Sequence, residues 1–443
     1  MAFPTRFLII VVTLTTCGLS ACGGSTPPPL SVPSSTALSV AGKNKPADRS
    51  RQRGYNVVRL PTLGGTQAFA NFINDRGWVS GAADLTGGSA EHGFLWHGGE
   101  IVDLGTLGGT NSLAWPVNNK GEVGGSSDTS NADPYKENFC AFYVDGVLQF
   151  TDRTCLGYVW MRGVTTALPT LGGNNSEVFG LNDGGQLVGT AENSTVDPTC
   201  IAPQVLDFEA VIWGKKPDQM QTLSPIAGDA ISVAVAINAK GQVVGASGFC
   251  ATVNPVIGVH AVLWQPGSPS SPIDLGGFGG QFSNVAWDIN NRGQVVGFAD
   301  LPGDTTTHAF LWDKGVMKDL GTLPGDFASF AFGINDNGRV VGQSCDVSFN
   351  CRAFVWQDGV MTDLNSLVPS SSLYLMLGES VNPRGEITGI AFDQNTGDIP
   401  AYVATPSGLK GAHSAPRVKL PASVRAQIRT RLGWGAARSA KGK

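Results

Sequence analysis

The motif Asn-x-x-Gly-x-x-x-Gly occurs seven times in this chain, each time behind an apolar residue. It starts at Asn74, Asn118, Asn182, Asn238, Asn290, Asn335 and Asn382, with gaps of 44, 64, 56, 52, 45 and 47 residues. A period of this size is the mark of a repeat architecture, and no other feature limits the possible folds as much.

The clearest copy runs from Phe327 to Leu364. Ala331-Phe332-Gly333-Ile334 is a short apolar strand, and Asn335-Asp336-Asn337-Gly338 is a turn. Asn can bond its own backbone there, and Gly takes positive φ without a Cβ clash. Arg339 to Gly342 reads as a second strand, Arg352 to Trp356 as a third and Val360 to Leu364 as a fourth. Their residues suit a pleated, half-buried surface. Four short antiparallel strands in about 40–50 residues make a blade of a β-propeller. The expected fold is therefore all-β, a propeller of seven four-stranded blades, with six or eight as the alternative counts because repeat two is long and irregular.

The ends of the repeat region carry incomplete blades. Tyr55 to Leu63 resembles a fourth strand, while the last repeat reaches only a third, Ala401-Tyr402-Val403. The N-terminal strand is expected to complete the last blade and so remove exposed edges. Repeat two holds two third-strand-like pieces, 141–146 and 157–163, one of which reads as an inserted hairpin. A Trp recurs on the third strand as Trp96, Trp160, Trp213, Trp264, Trp312 and Trp356, a packing device between neighbouring sheets.

Outside the propeller (55–405) lie three further segments. Residues 1–21 read as a secretory signal, with Arg6 as its charge and Phe7 to Leu14 as its apolar run. Leu19-Ser20-Ala21-Cys22 resembles the lipobox of bacterial lipoproteins, which implies cleavage before Cys22 and lipidation of its thiol. Residues 22–54, rich in Pro and Ser, form a spacer. The tail, 406–443, has no acidic residue and carries +9, whereas the whole chain is −5, so residues 1–409 carry −14. It reads as a solvated, disordered end; the alternatives are one short basic helix at 423–432 and attraction to anionic lipid, lipopolysaccharide or the propeller itself.

After the signal and Cys22, six cysteines remain, an even number for an oxidising compartment. The expected pairs are Cys140 with Cys155, Cys200 with Cys250, and Cys345 with Cys351.

Chemical motifs are sparse. There is no Walker loop, GxSxG elbow or HExxH, and no cofactor or metal is expected. His92, His260 and His308 start third strands at equivalent positions, but do not gather in one place in the ring. The turns offer single carboxylates, Asp75, Asp183 and Asp336, fewer than a calcium site needs. With strand one running from top to bottom, the Asn turns lie below, uniform and short. The variable loops, 126–138, 191–208 and 247–259, lie above, where function is usually placed. An alternative is a glycan hydrolase or lyase, using Asp128, Asp133, Glu192, Asp197 and Asp304 from that top face in close pairs.

His308-Ala309-Phe310-Leu311-Trp312, Asp319-Leu320-Gly321-Thr322-Leu323 and Ile334-Asn335-Asp336-Asn337-Gly338 recur together and in order. In these elements the chain resembles the HAF-repeat extracellular proteins of bacteria over residues 55–405. The resemblance implies an exported repeat protein with a propeller fold. That family carries no assigned activity, so no functional residue transfers from it. The expectation is a monomeric binding module, held to the cell envelope by its lipid, with a glycan, peptidoglycan or an envelope protein as partner and no nucleic acid.

Overall fold

The computed structural model describes residues 53–137, 139–214, 219–250, 259–410 and 415–432; the signal, Cys22 and nearly all of the spacer lie outside them. Strand β1 is Arg53–Arg59. Blade I follows as β2 (Gly64–Ile73), β3 (Val79–Leu85), β4 (Glu91–His97) and β5 (Glu100–Asp103). Blade II holds β6 (Gly108–Val117) and β7 (Val123–Ala132), then a hairpin, β8 (Phe142–Val144) and β9 (Val147–Gln149), then β10 (Arg153–Met161) and β11 (Val164–Ala167). Blade III is β12 (Gly172–Leu181), β13 (Leu187–Val196), β14 (Leu206–Trp213) and β15 (Met220–Leu223). Blade IV is β16 (Ile231–Ile237), β17 (Val243–Gly248), β18 (His260–Trp264) and β19 (Ile273–Asp274). Blade V is β20 (Asn284–Ile289), β21 (Val295–Asp300), β22 (Thr307–Asp313) and β23 (Val316–Gly321). Blade VI is β24 (Ala328–Ile334), β25 (Val340–Cys345), β26 (Cys351–Gln357) and β27 (Val360–Asp363). Blade VII is β28 (Leu373–Val381), β29 (Ile387–Asp393) and β30 (Ala401–Lys410).

These strands form seven four-stranded antiparallel sheets, a seven-bladed β-propeller. Blade VII has the order β1-β30-β29-β28, so the N-terminal strand supplies its missing outer edge. Val57 pairs with Ala404 and Arg59 with Tyr402. The inner strands β2, β6, β12, β16, β20, β24 and β28 contact one another in turn, and β28 returns to β2. Each third-strand Trp packs against the preceding blade. Trp264 sits with Val188 and Ala210 of blade III, and Trp356 with Val296 and Ala309 of blade V.

The Asn motif does three jobs in this ring. Within the turn, the Asn side-chain oxygen accepts backbone N–H groups; Asn290 takes those of Arg292 and Gln294, both at 3.0 Å. The first Gly of the motif sits at φ between +75° and +82° in all seven turns, which an L side chain resists. The second Gly, as Gly81, Gly189 or Gly342, leaves room for strand one; a Cβ there would be driven into the carbonyl oxygen of Phe69, Glu177 or Phe330.

The third job is between blades. Each Asn Nδ2 donates to the backbone carbonyl of the next Asn round the ring. Asn74 donates to Asn118, which donates to Asn182, then Asn238, Asn290, Asn335 and Asn382, at 2.9–3.2 Å. Asn382 donates back to Asn74 at 3.1 Å, so the seven bonds form a closed circle.

All three disulfides are those expected from the sequence. Cys140–Cys155 closes the hairpin insertion, and Cys345–Cys351 closes the top loop of blade VI. Cys200–Cys250 joins the top loops of blades III and IV; the chain-entropy account assigns a bond across its 50-residue separation about 4 kcal/mol.

The described part of the tail follows the alternative reading, a short helix against the propeller, rather than a disordered end. Residues 415–432 lie against the propeller, and Ala422–Arg431 form the helix α1. Leu420 and Val424 are buried against Tyr374, Met376, Ile390 and Phe392 of blade VII. Arg417 forms an ion pair with Asp326, and Leu420 N–H donates to Asn350 Oδ1 at 2.9 Å. Residues 415–432 thus dock through the apolar contacts of Leu420 and Val424 and the ion pairs of Arg417 with Asp326 and Asp346. Among the described residues no helix is long and apolar enough to cross a membrane.

Candidate functional site

Each inner strand carries a β-bulge three residues before its Asn. Pairing skips Asn71, Phe179, Val235, Trp287, Phe332 and Glu379, and in blade II both Trp115 and Pro116. A bulge re-aims a side chain. Here it turns one residue per blade into the central channel, and the tier formed is mostly aromatic. Trp115 meets Phe179 edge-on at 5.8 Å, and Trp287 meets Phe332 at 5.2 Å. Glu379 is the one acid in the tier, 9% exposed, with the Trp287 indole hydrogen-bonded to it.

Two cavities share this tier. The lower, about 220 Å³, runs from the tier through the Asn ring to the Asn-turn face. Its rim is the residue after each Asn: Asp75, Asn119, Asp183, Ala239, Asn291, Asp336 and Pro383. The three carboxylates that the sequence scattered over three turns therefore meet at one mouth. They are held there by amides: Asn119 Nδ2 donates to Asp75 at 3.0 Å and to Asp183 at 2.8 Å, and Asn291 Nδ2 to Asp336 at 3.0 Å.

The upper cavity, about 120 Å³, is lined by Phe69, Glu91, Tyr143, Arg431 and the same tier. It is covered by the hairpin and α1. Tyr143 N–H donates to Glu91 Oε2 at 2.8 Å, Asp145 N–H to Asp84 at 3.2 Å, and Gln427 Nε2 to Gln67 at 3.0 Å. Arg431 reaches down from α1, its guanidinium carbon 3.5 Å from the Phe69 ring centroid and 4.3 Å from that of Tyr143. Its Nε is buried without a hydrogen-bond partner among the described residues. Burial pushes Glu91 and Glu379 each up to about 8, against the pull of the Arg431 charge. Burial likewise raises Asp84 to about 6. The guanidinium thus lies against two ring faces, with Glu91, Glu379 and Asp84 close enough to feel its charge.

The sequence placed a ligand among the top loops. Among the described residues, Phe139, Phe142 and Phe208 are buried in one apolar cluster, and the lower cavity opens at the Asn turns.

The five acids named for a hydrolase stand as follows. Asp133 and Glu192 do converge, both accepting from Asn175 Nδ2, at 2.7 and 2.9 Å. Glu137 joins them through Gln204, which donates to it at 3.2 Å and to Glu192 at 2.9 Å. All three are buried, at 0–3% exposure, so no substrate reaches them. Asp128 is buried and accepts Asn111 N–H at 2.7 Å, and Asp304 accepts Gln281 N–H at 2.6 Å. Asp197 is hydrogen-bonded to Asp207 beside Cys200–Cys250, closer than the about 5 Å or more of glycosidase pairs. The histidines do not converge either: His92, His260 and His308 each pair with the fourth-strand Asp of their own blade, Asp103, Asp274 and Asp319, at 3.0–3.1 Å. Arg352 makes the same bond to Asp363 in blade VI.

The buried acid cluster has a consequence for pH. Burial, then the Glu137 charge, pushes Glu192 up to about 8 from an ordinary value near 4.5. The folded chain holds this proton more tightly than the unfolded chain, so its stabilising effect is full below the ordinary value and fades as pH rises towards 8. Glu192→Gln removes the titrating group. Urea unfolding of the variant at pH 5.5 and pH 8 is expected to show a pH difference smaller by on the order of 1–2 kcal/mol than in the parent. An unchanged pH dependence contradicts the assignment.

No known family's sequence pattern matches the chain, and no curated protein matches it. Among solved structures it is similar to an oligogalacturonate lyase in complex with manganese, at 10% identity and TM-score 0.49, over 81% of this chain and 95% of that one. It is also similar to TolB from Acinetobacter baumannii (12%, TM-score 0.37, 76% of this chain and 65% of that one). A third is the acylaminoacyl peptidase of Pyrococcus horikoshii (10%, TM-score 0.41, 73% of this chain); the match spans 49% of that enzyme.

Proposed function

We propose that this protein is an exported, lipid-anchored component of the bacterial cell envelope, of the HAF-repeat kind, whose propeller acts as a binding module. Its ligand is a glycan, a peptidoglycan fragment or a segment of an envelope protein, and part of that ligand enters the axial channel at the Asn-turn face. The observation that carries the reading is the lower cavity: concave, walled by aromatic rings, with the carboxylates of Glu379 and Asp288 in its wall and a polar rim. The lipobox-like Leu19 to Cys22 supports the anchor, and three disulfides support export.

Two measurements test it. Isothermal titration of the fragment from Gly54 onward against muropeptides, envelope oligosaccharides and purified envelope proteins is expected to find a ligand. Trp287→Leu is expected to weaken it tenfold or more, and Val347→Ser, at an exposed top-loop position, to leave it unchanged. The reverse pattern overturns the axial site. For the anchor, radioactive palmitate is expected to label the full chain and not Cys22→Ser; equal labelling contradicts it.

A further inference from the structure

We infer that the lower cavity is a receptor for an organic cation, a guanidinium or alkylammonium group at the end of a chain. This deepens the axial-site reading above and rests on it. The first argument is the chemistry of the walls. Trp115, Phe179, Trp287 and Phe332 present ring surface around a buried Glu379. Aromatic faces with a carboxylate at the end are a recognition set for cations.

The second argument comes from the same molecule. The other half of the channel already holds a guanidinium, that of Arg431, by the same means: ring faces of Phe69 and Tyr143 with Glu91 nearby. Glu379 lines both halves. Glu379 therefore stands between the Arg431 guanidinium and the lower cavity, whose wall also carries Asp288. A cation entering from below meets these two carboxyls and favours their ionised forms.

Size sets the form of the ligand. At about 220 Å³ the cavity is smaller than the about 300–1,000 Å³ of sites that enclose a drug-sized molecule. It suits one terminal group rather than an oligosaccharide. The rim is compatible with this. Asp75, Asp183 and Asp336 line the mouth, while the basic residues of the turns do not. Arg76 lies over Trp78, and Arg384 is paired with Glu386.

The test uses the fragment from Gly54 onward with agmatine, cadaverine and choline, and 1,5-pentanediol as the neutral control, in titration calorimetry. Agmatine or cadaverine is expected to bind with one equivalent per chain, and the diol not to bind. Glu379→Gln is expected to lower the affinity tenfold or more with its melting temperature kept. Trp115→Leu serves as a second channel variant should the first misfold. Cation binding that survives both variants overturns the site. Muropeptide or glycan binding that Trp287→Leu abolishes, with no cation bound, overturns the cation class and leaves the axial reading standing. No ligand of any kind in the channel overturns both.

Discussion

Asn290→Ala is expected to lower the unfolding free energy by about 4 kcal/mol, more than its single turn suggests. The buried side chain makes four bonds. Its oxygen accepts Arg292 and Gln294 N–H, and its amide donates to Gln294 Oε1 at 2.9 Å and to the Asn335 carbonyl at 3.1 Å. At about 1 kcal/mol for each bond the sum is near 4, and the Asn335 carbonyl keeps only the Gly338 N–H of its own turn. Asn290→Asp separates the two roles. It keeps the acceptors but loses both donated bonds and turns a carboxylate oxygen towards a carbonyl. Urea unfolding at pH 7 is expected to show it nearly as destabilised as the alanine variant. A loss below about 1 kcal/mol in both variants contradicts a ring in which each bond supports the next.

Removal of the N-terminal strand is expected to have the larger effect. A fragment starting at Gly64 lacks β1 and with it Tyr55, which is 3% exposed among Val381, Tyr402 and Ala404. It also lacks the bonds from Arg59 to Asp393 at 3.1 Å and to Asp398 at 2.7 Å. One buried aromatic and a full strand ladder together account for more than about 5 kcal/mol, a large share of a domain's usual 5–15 kcal/mol. The bare edge of β30 then seeks another strand. Light scattering is expected to find oligomers of the shortened fragment, where the fragment from Gly54 is monomeric. A synthetic peptide of residues 53–63, added in excess, is expected to restore the monomer and a cooperative melt. A shortened fragment that stays monomeric and melts at the parent temperature contradicts closure by β1.

Most of the fold was legible because its signals are local. The turn around Asn335 needs only Asn and Gly at fixed offsets. The hairpin at 142–149 shows as an extra strand pair between Cys140 and Cys155, and the Cys spacings match loops of one blade or of two neighbours. The candidate site was not legible, for a physical reason. The bulge at Trp287 or Glu379 breaks the two-residue alternation from which faces are read, so the side chain that enters the channel is the one the pattern misplaces. A signal was present: the third residue before each Asn runs Asn71, Trp115, Phe179, Val235, Trp287, Phe332, Glu379, aromatic in four repeats and acidic in one.

Arg431 shows the other limit. In sequence it stands in a basic run, which reads as solvated, since burying a lone guanidinium is costly. The acids and rings that offset the cost, Glu91, Phe69, Tyr143 and Glu379, come from β4, β2, the hairpin and β28. Only their assembly makes the site.

By itself, then, the sequence determined what depends on neighbours along the chain: the turns, the strand period, the closing strand and the cysteine pairs. The tertiary structure alone decided what depends on groups far apart in the chain: the closed circle of Asn bonds, between residues 44 to 308 apart, the aromatic tier and the Arg431 plug. It also fixed the number of blades at seven. The seven Asn turns first read as bare connections on the face opposite any ligand. In the folded ring they frame the mouth of the lower cavity, because each Asn reaches the turn of the next blade and the last, Asn382, reaches the first.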